Sequence, residues 1–262
     1  KMNKIEKAFM LARTALKDPS EFFDRIEAII TANIEPFLIR KEHQSVRRVE
    51  EVYPDIEKIF KARIDWSEAD EVEQELQSRI AKLKASAPFR TSHNADFSLA
   101  RLAYALCRLL KPEVVVETGV AYGVMSSFIL KAMACNQLGQ LISIDLPPLG
   151  KHSDSFVGFL IPERYKSRWQ LHRGSSKRLL PRLLPQIGRV DFFIHDSLHT
   201  YWNIRRELFT ITPYLSRRSA VLLDDVDGNR AFSEWIAHTH PQYSTVFRQT
   251  EKENVGGVAL FV

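Results

Sequence analysis

Carboxylate and imidazole side chains follow two apolar segments in the second half of the chain. Asp196 and His199 come after the first segment, and Asp224 and Asp225 come at the end of the second. If the segments are neighbouring strands, three carboxylates meet, which is unfavourable unless a cation lies among them. Oxygen ligands suit Mg²⁺, Ca²⁺ or Mn²⁺ rather than Zn²⁺. His199 could then take a proton from a substrate hydroxyl that the metal polarises.

A second group of such residues surrounds the turn from Glu117 to Gly123. Gly119 and Gly123 let the backbone turn tightly and let a ligand approach the main chain. A pyrophosphate would suit such a turn, but the carboxylate of Glu117 suits a cationic or amino-bearing ligand better. Asp145 ends the next apolar segment, where a carboxylate can accept hydrogen bonds from both hydroxyls of a ribose. A helix-capping or loop role for Asp145 stays open.

A third group is Arg173-Gly174-Ser175-Ser176, which follows another apolar segment. Ser175 and Ser176 are typical helix caps. They also lie where backbone N–H groups and hydroxyls could meet the edge of an adenine, and the two roles are compatible.

Five short apolar segments alternate with helical patterns from about residue 95 onwards. Continuous apolar strands alternating with helices predict a parallel sheet covered on both faces. Two further strands near the C-terminus are separated by eight residues, too few for a crossover helix, so we expect an antiparallel hairpin. The predicted strands are Val114–Glu117, Leu141–Asp145, Trp169–Arg173, Val190–His195, Ala220–Asp224, Ser244–Gln249 and Val258–Val262. The sequence therefore predicts a Rossmann-like, doubly wound α/β fold with a mostly parallel seven-stranded sheet.

Helical spacing in residues 1–87 predicts a separate N-terminal helical region. Asp18-Pro19-Ser20 interrupts the first helical pattern and offers caps for the next helix. Amphipathic, charged helices are expected around 49–63 and 67–85, and a linker at 87–94. The predicted division is 1–87 and 88–262, and the helices could serve as a cap, a lid or a homo-oligomer contact.

Composition excludes several classes of protein. No run of 18 apolar residues is present, so a membrane span is not expected. The net charge of +5 is scattered and forms no basic stripe with interleaved aromatics, so we expect no nucleic-acid partner. The two cysteines, Cys107 and Cys135, lie in apolar helical patterns as buried free thiols would, which fits a cytoplasmic protein.

At these motifs the sequence resembles the class I S-adenosylmethionine-dependent methyltransferases. It is most similar to their metal-dependent O-methyltransferase branch, which includes the macrolide-sugar O-methyltransferases and the cephalosporin-biosynthesis protein. The similarity covers about residues 95–262. It implies an S-adenosylmethionine site, a divalent cation, preferably Mg²⁺, and O-methylation of a small-molecule or sugar hydroxyl.

The resemblance also implies roles for individual residues. His199 would be the general base. S-Adenosylmethionine would be surrounded by Glu117, Gly119, Gly123, Asp145, Ser175 and Asp196. Mg²⁺ would be held by Asp196, Asp224 and Asp225.

The sequence departs from the wider family in three places, and two other functions stay open. Ala121 stands where many relatives have glycine, Asp196 comes one residue later than the metal aspartate of the catechol-type branch, and Asp224-Asp225 replaces that branch's Asp-Asn pair.

One alternative is an NAD-dependent dehydrogenase, which Glu117 opposes. The other is a non-catalytic scaffold that kept the cofactor fold.

Overall fold

The computed structural model describes residues 4–39, 46–83 and 87–262. The strands are β1 (Arg47–Arg48), β2 (Val114–Thr118), β3 (Gln140–Asp145), β4 (Trp169–Arg173), β5 (Val190–His195), β6 (Leu215–Leu223), β7 (Tyr243–Arg248) and β8 (Val255–Phe261). The helices are α1 (Lys4–Lys17), α2 (Pro19–Leu38), α3 (Tyr53–Phe60), α4 (Ser67–Leu83), α5 (Phe97–Leu110), α6 (Val124–Asn136), α7 (Ser153–Phe156), α8 (Ser176–Ile187), α9 (Tyr201–Ile211) and α10 (Ala231–Thr239).

The strands form one sheet in the order β1-β7-β8-β6-β5-β2-β3-β4. Strands β2 to β6 pair in parallel, and β8 pairs antiparallel with both β6 and β7. The predicted doubly wound sheet with its C-terminal hairpin is thereby confirmed. The chain lays β3 and β4 on one side of β2 and then returns to place β5 on the other side. The carboxyl ends of β2 and β5 at this reversal are where such sheets bind ligands.

The sheet differs from the prediction at its edge and in the lengths of two strands, since β8 begins at Val255, three residues before the predicted start. The described residues contain eight strands rather than seven, because Arg47–Arg48 pairs with the end of β7. Strand β6 begins at Leu215, five residues before the predicted start, and ends at Leu223. Its first half is polar and partly exposed, so no apolar run marks it, and Asp224 lies just beyond the strand.

Alternating side chains of each strand pack into two cores, one on each face of the sheet. Phe192 and Ile194 of β5 join the core formed with α3 to α6. Phe193 joins the opposite core, to which α8, α9 and α10 contribute. Both faces are therefore covered, which explains why the strands read as continuous apolar runs.

The N-terminal residues form helices, as predicted, in two parts. Asp18 accepts a hydrogen bond from the Glu21 amide at 2.9 Å and caps α2, whose first residue is Pro19. Apolar residues within 46–83 belong to the same core as α5 and α6. The expected helix at 49–63 is a 3₁₀ turn followed by α3, and residues 84–85 of the next expected helix lie outside the described residues. The division at residue 87 stays a prediction.

No helix in the described ranges has the length and apolar character needed to cross a membrane.

Candidate active site

The turn after β2 packs directly against the turn after β5. Gly119 has φ +84°, and a Cβ atom there would lie 1.8 Å from the backbone oxygen of Asp196. Gly123 also has a positive φ, +95°, and is the N-cap residue of α6. Glycine is needed at position 119 for both reasons, conformation and close approach. This contact holds the two predicted site segments together.

Asp145 lies at the end of β3 and braces the glycine turn. Its Oδ2 atom accepts hydrogen bonds from the backbone amides of Val120 at 2.7 Å and Ala121 at 3.1 Å. Burial raises the pKa of this carboxyl, although the two amide hydrogen bonds act in the opposite direction. Oδ2 is thus used by the protein, and Oδ1 is available to a ligand.

Glu117 is completely buried and is not among the residues that line the neighbouring cavity. Its Oε2 atom accepts hydrogen bonds from the hydroxyls of Ser126 and Ser143, each at 2.7 Å. Its Oε1 atom has no partner. Burial raises the pKa of Glu117 to about 8, so the carboxyl is mostly neutral at pH 7. An ionised carboxylate was expected at this position from the sequence, whereas the buried carboxyl group is mostly neutral.

A cavity of about 460 Å³ lies between α2 and the carboxyl ends of β2 to β5. The strand-end residues that line it include Gly119, Asp145, Ser175 and Asp196, all of which were predicted to contact the cofactor. The opposite wall comes from the N-terminal helices and includes Lys7, Asp24, Arg25 and Glu27.

Ion pairs and hydrogen bonds fasten α2 over this cavity. The Ser175 hydroxyl donates to Asp24 at 2.6 Å. Arg173 donates to Glu21 at 2.5 Å. The carboxylate of Glu35 accepts hydrogen bonds from two backbone amides at the start of α9, at 2.6 and 3.0 Å. Helical spacing predicted α2 but could not indicate which surface it covers, so these wall residues were missed.

Asp196, His199 and Asp224 form a group with the geometry of a metal site. One ligand atom from each residue lies within 4.8 Å of the others. His199 lies between two carboxylates: Nδ1 is 2.8 Å from Asp225 Oδ2, and Nε2 is 3.5 Å from Asp196 Oδ1. Asp224 accepts hydrogen bonds from the Gln249 side chain and, at 2.9 Å, from the Asp225 amide. The four residues predicted for metal and base chemistry are thus brought together.

The charges in this group are strongly coupled. Burial and the charge of Asp224 raise the pKa of Asp196 to about 7. Burial lowers the pKa of His199, but the nearby carboxylates of Asp196 and Asp225 outweigh it and raise the pKa well above its usual range. Without a cation, a proton on His199 or on one of the aspartates therefore offsets part of the negative charge of the clustered carboxylates.

His195, the last residue of β5, pairs with Glu207 rather than with the carboxylate group, although its ring centroid lies 5.6 Å from that of His199. It is fully buried, and its Nδ1 atom lies 2.7 Å from Glu207 of α9. Glu207 also accepts hydrogen bonds from Thr118 at 2.6 Å, Ser197 at 2.7 Å and Asn203 at 3.0 Å. Glu207 was not predicted from the sequence. The i, i+4 pair Asn203 and Glu207 was the available signal, as two polar residues on one helix face.

The doubly wound sheet carries a glycine turn at its reversal and a carboxylate at the end of the next strand, where such sheets bind ligands. Residues 116–226 match the model of a family described as a methyltransferase domain. That segment contains every residue that the sequence predicted for the site. This match confirms the predicted resemblance to methyltransferases. No protein of curated function matches the chain by sequence.

Solved structures share the same fold at low sequence identity. The O-methyltransferase TomG from Streptomyces achromogenes, involved in tomaymycin synthesis and solved with SAM, is 16% identical, with a TM-score of 0.56 over 81% of this chain and 96% of its own. An O-methyltransferase from Bacillus cereus in complex with SAH is 15% identical, with a TM-score of 0.54 over 82% and 100%. Cofactor-bound Rv0187 from MTB is 16% identical, with a TM-score of 0.57 over 72% and 89%.

Proposed function

We propose that this protein is an S-adenosylmethionine-dependent O-methyltransferase that methylates a hydroxyl of a small molecule or sugar with the help of a divalent cation, most suitably Mg²⁺. One observation carries the proposal: Asp196 both lines the cavity at the sheet reversal and belongs to the carboxylate–histidine group. A cofactor in the cavity and an acceptor at that group would therefore be adjacent.

The cavity offers S-adenosylmethionine the contacts that its parts require. Asp145 keeps one carboxylate oxygen for the ribose hydroxyls, at the end of the strand next to the glycine turn. Ser175 lies just after β4, where it would meet the adenine, and Gly119 keeps side chains out of the turn that the methionine part would cross.

Gly123, also predicted to contact the cofactor, does not line the cavity and packs against Ile161 and Gly158 instead. Glu117 has one unpartnered carboxylate oxygen, but it does not line the cavity, so its predicted contact with the cofactor would require the adjoining turn to move.

The donor set fits a hard divalent cation. Asp196 and Asp224 would supply carboxylate oxygens, with Asp225 or His199 as the third protein ligand. The sequence assigned this third place to Asp225, whereas the described geometry places His199 in the group and Asp225 against its ring. A bound cation would hold the acceptor oxygen and lower the pKa of its hydroxyl.

The protein's own part in the reaction is positioning and proton transfer. The sulfonium methyl group is already activated, so alignment of the acceptor oxygen with it supplies much of the rate. For His199 to take the hydroxyl proton, a bound cation must replace the proton that the group holds without it, and His199 must stay outside the ligand set. Asp225, 2.8 Å from its Nδ1 atom, would then orient the ring and stabilise its positive charge. The nearby cavity residues Phe89, Leu198 and Trp202 give the acceptor side an apolar wall.

Calorimetric titration of the 262-residue chain with S-adenosylmethionine, with and without Mg²⁺, tests the proposal. We expect micromolar binding, followed by methyl transfer to members of a panel of hydroxylated compounds that EDTA abolishes. Asp145→Ala should lose cofactor binding, and Asp154→Ala, at an exposed site nearby, should keep it. Absence of cofactor binding in both metal conditions would contradict the proposal. Cofactor binding without turnover on any acceptor would favour the scaffold.

A further inference from the structure

The helical hairpin α1–α2 turns its apolar side away from the protein. Nine of the thirteen large apolar side chains that are exposed in the described residues belong to these two helices. On α1 they recur at helical spacing, and on α2 they form a second stripe at intervals of seven, four and three residues. The α1 stripe is Ile5, Phe9 and Leu16, and the α2 stripe is Phe23, Ile30, Ile34 and Phe37.

The inward side of the hairpin is polar instead. Glu21, Asp24 and Glu27 of α2 pair with Arg173, Arg178 and Arg206, respectively, at 2.5 to 2.8 Å. A helix on a protein surface normally buries its apolar stripe and exposes its charges. This hairpin does the reverse, and exposed apolar stripes of this length mark an interaction surface.

We propose that this surface, made of the two stripes defined above, binds the same surface of a second copy of the chain. The two hairpins would pack around a two-fold axis as a four-helix bundle. Apolar stripes without charges are self-complementary, as an interface between identical copies must be. Heptad-like spacing on α2 is the pattern by which helices interlock side by side.

The exposed area is sufficient for a stable dimer. The seven side chains of the two stripes are between 46% and 88% exposed, which amounts to roughly 1,000 Å² per copy for residues of this size. Two copies would bury roughly 2,000 Å², at the upper end of the range for standard stable interfaces. Contacts outside the two stripes would therefore not be needed for a stable dimer.

Charge argues against a membrane as the occupant. Residues 4–39 carry five lysine and arginine side chains and six carboxylates. A helix that lies on an anionic membrane typically carries a surplus of lysine and arginine on its polar face. Here the polar face of α2 carries mainly acids, and they are already paired with the rest of the protein.

The dimer would also act on the cofactor cavity, a consequence that rests on the proposed function. Asp24, Arg25 and Glu27 line that cavity from the hairpin's inner side. Since polar contacts such as ion pairs and hydrogen bonds hold this wall, fixing its outer side in a bundle would reduce its motion. S-Adenosylmethionine should therefore bind more tightly to the dimer than to the monomer.

Sedimentation velocity and light scattering on the full chain test the interface directly. The chain mass is 30.2 kDa, so the wild type should show twice that mass at micromolar concentration. Leu16→Glu/Phe37→Glu, at two positions that are each 88% exposed, should be monomeric with an unchanged circular dichroism spectrum. Leu16→Met/Phe37→Leu should remain dimeric, and so should Leu138→Glu, which adds a charge elsewhere.

Two results would overturn the proposal. One is a wild type that is monomeric at protein concentrations of tens of micromolar. A monomer that binds phosphatidylcholine–phosphatidylglycerol vesicles in a flotation assay would count as this result and would indicate a membrane as the occupant. The other is a dimer that survives Leu16→Glu/Phe37→Glu. Cofactor affinity should fall at least about fivefold in the monomeric variant. Lack of cofactor binding by the dimeric wild type would contradict the proposed function while leaving the interface established.

Discussion

His195 and Glu207 form a buried pair beneath the turn that carries Asp196 and His199. Nδ1 of His195 lies 2.7 Å from Glu207 Oε2, and neither side chain has any exposed area. Burial raises the pKa of Glu207, but the charge and hydrogen bond of His195 outweigh it and lower the pKa to about 2. Ser197 donates to the same carboxylate at 2.7 Å. The carboxylate thus joins β5, α9 and the turn between them.

Glu207→Ala should lower the free energy of unfolding by about 3–5 kcal/mol, because it leaves His195 buried without its partner. Urea denaturation measures this, and Glu163→Ala, whose carboxylate is 87% exposed, serves as the control with a change near zero. Glu207→Gln should lie between the two, since an amide keeps part of the hydrogen bonding. A loss below about 1 kcal/mol in the alanine variant would show that the pair contributes little.

Gly119→Ala should destabilise the fold by several kcal/mol, because alanine at φ +84° is strained and its Cβ would overlap the backbone oxygen of Asp196. Gly228→Ala is the matched control, since no atom lies within 4 Å of a Cβ placed there. Thermal denaturation of both variants checks this. Equal melting temperatures would contradict the close packing of the two turns.

The sequence was sufficient to predict the sheet and the strand-end residues for a physical reason. Strands covered on both faces must be apolar throughout, so segments such as Val190–His195 stand out, and the residues that follow them must gather at one edge. Arg47–Arg48 could not be predicted as a strand, because two charged residues at a sheet edge carry no apolar pattern. Strand β6 was predicted too short for the same reason.

The cavity wall and the orientation of individual side chains were beyond sequence reasoning. Glu21 and Arg173 are separated by 152 residues and meet only because α2 folds back over the sheet. Asp225 adopts φ +51° and turns its carboxylate to His199 rather than beside Asp224. Contacts and side-chain orientations of this kind depend on tertiary packing, which neighbouring residues along the chain do not specify.

Glu117 makes stability depend on pH. Its pKa is about 8 in the folded protein against an ordinary value of 4.5. Between these values the unfolded chain is ionised and the folded one neutral, so stability should fall by about 1.4 kcal/mol per pH unit as pH rises. Glu117→Gln cannot ionise and should remove this slope, whereas Glu163→Gln should keep it. Urea denaturation at several pH values between 4.5 and 8 measures this pH dependence of the free energy of unfolding. Parallel profiles for the wild type and Glu117→Gln would show that Glu117 is not the group responsible.

Asp224→Asn should weaken divalent-cation binding at least about 100-fold, since it removes one of the two carboxylates proposed as ligands. Titration with Mn²⁺, followed by electron paramagnetic resonance, reports binding without any need for an acceptor. Asp227→Asn, at an exposed position three residues further on, should bind Mn²⁺ like the wild type. If both variants bind equally, the cation lies elsewhere or is not bound by this group.

His199→Ala should reduce methyl transfer about 100-fold or more while leaving the dissociation constant for S-adenosylmethionine within about threefold of wild type. The reason is geometric: His199 contacts Asp196 and Asp225 and is not among the residues that line the cofactor cavity. Single-turnover kinetics with a reactive acceptor and calorimetry with the cofactor measure the two quantities. His238→Ala, on α10, should change neither. A His199→Ala variant that loses cofactor affinity and turnover equally would show that the histidine maintains the site rather than accepting the proton.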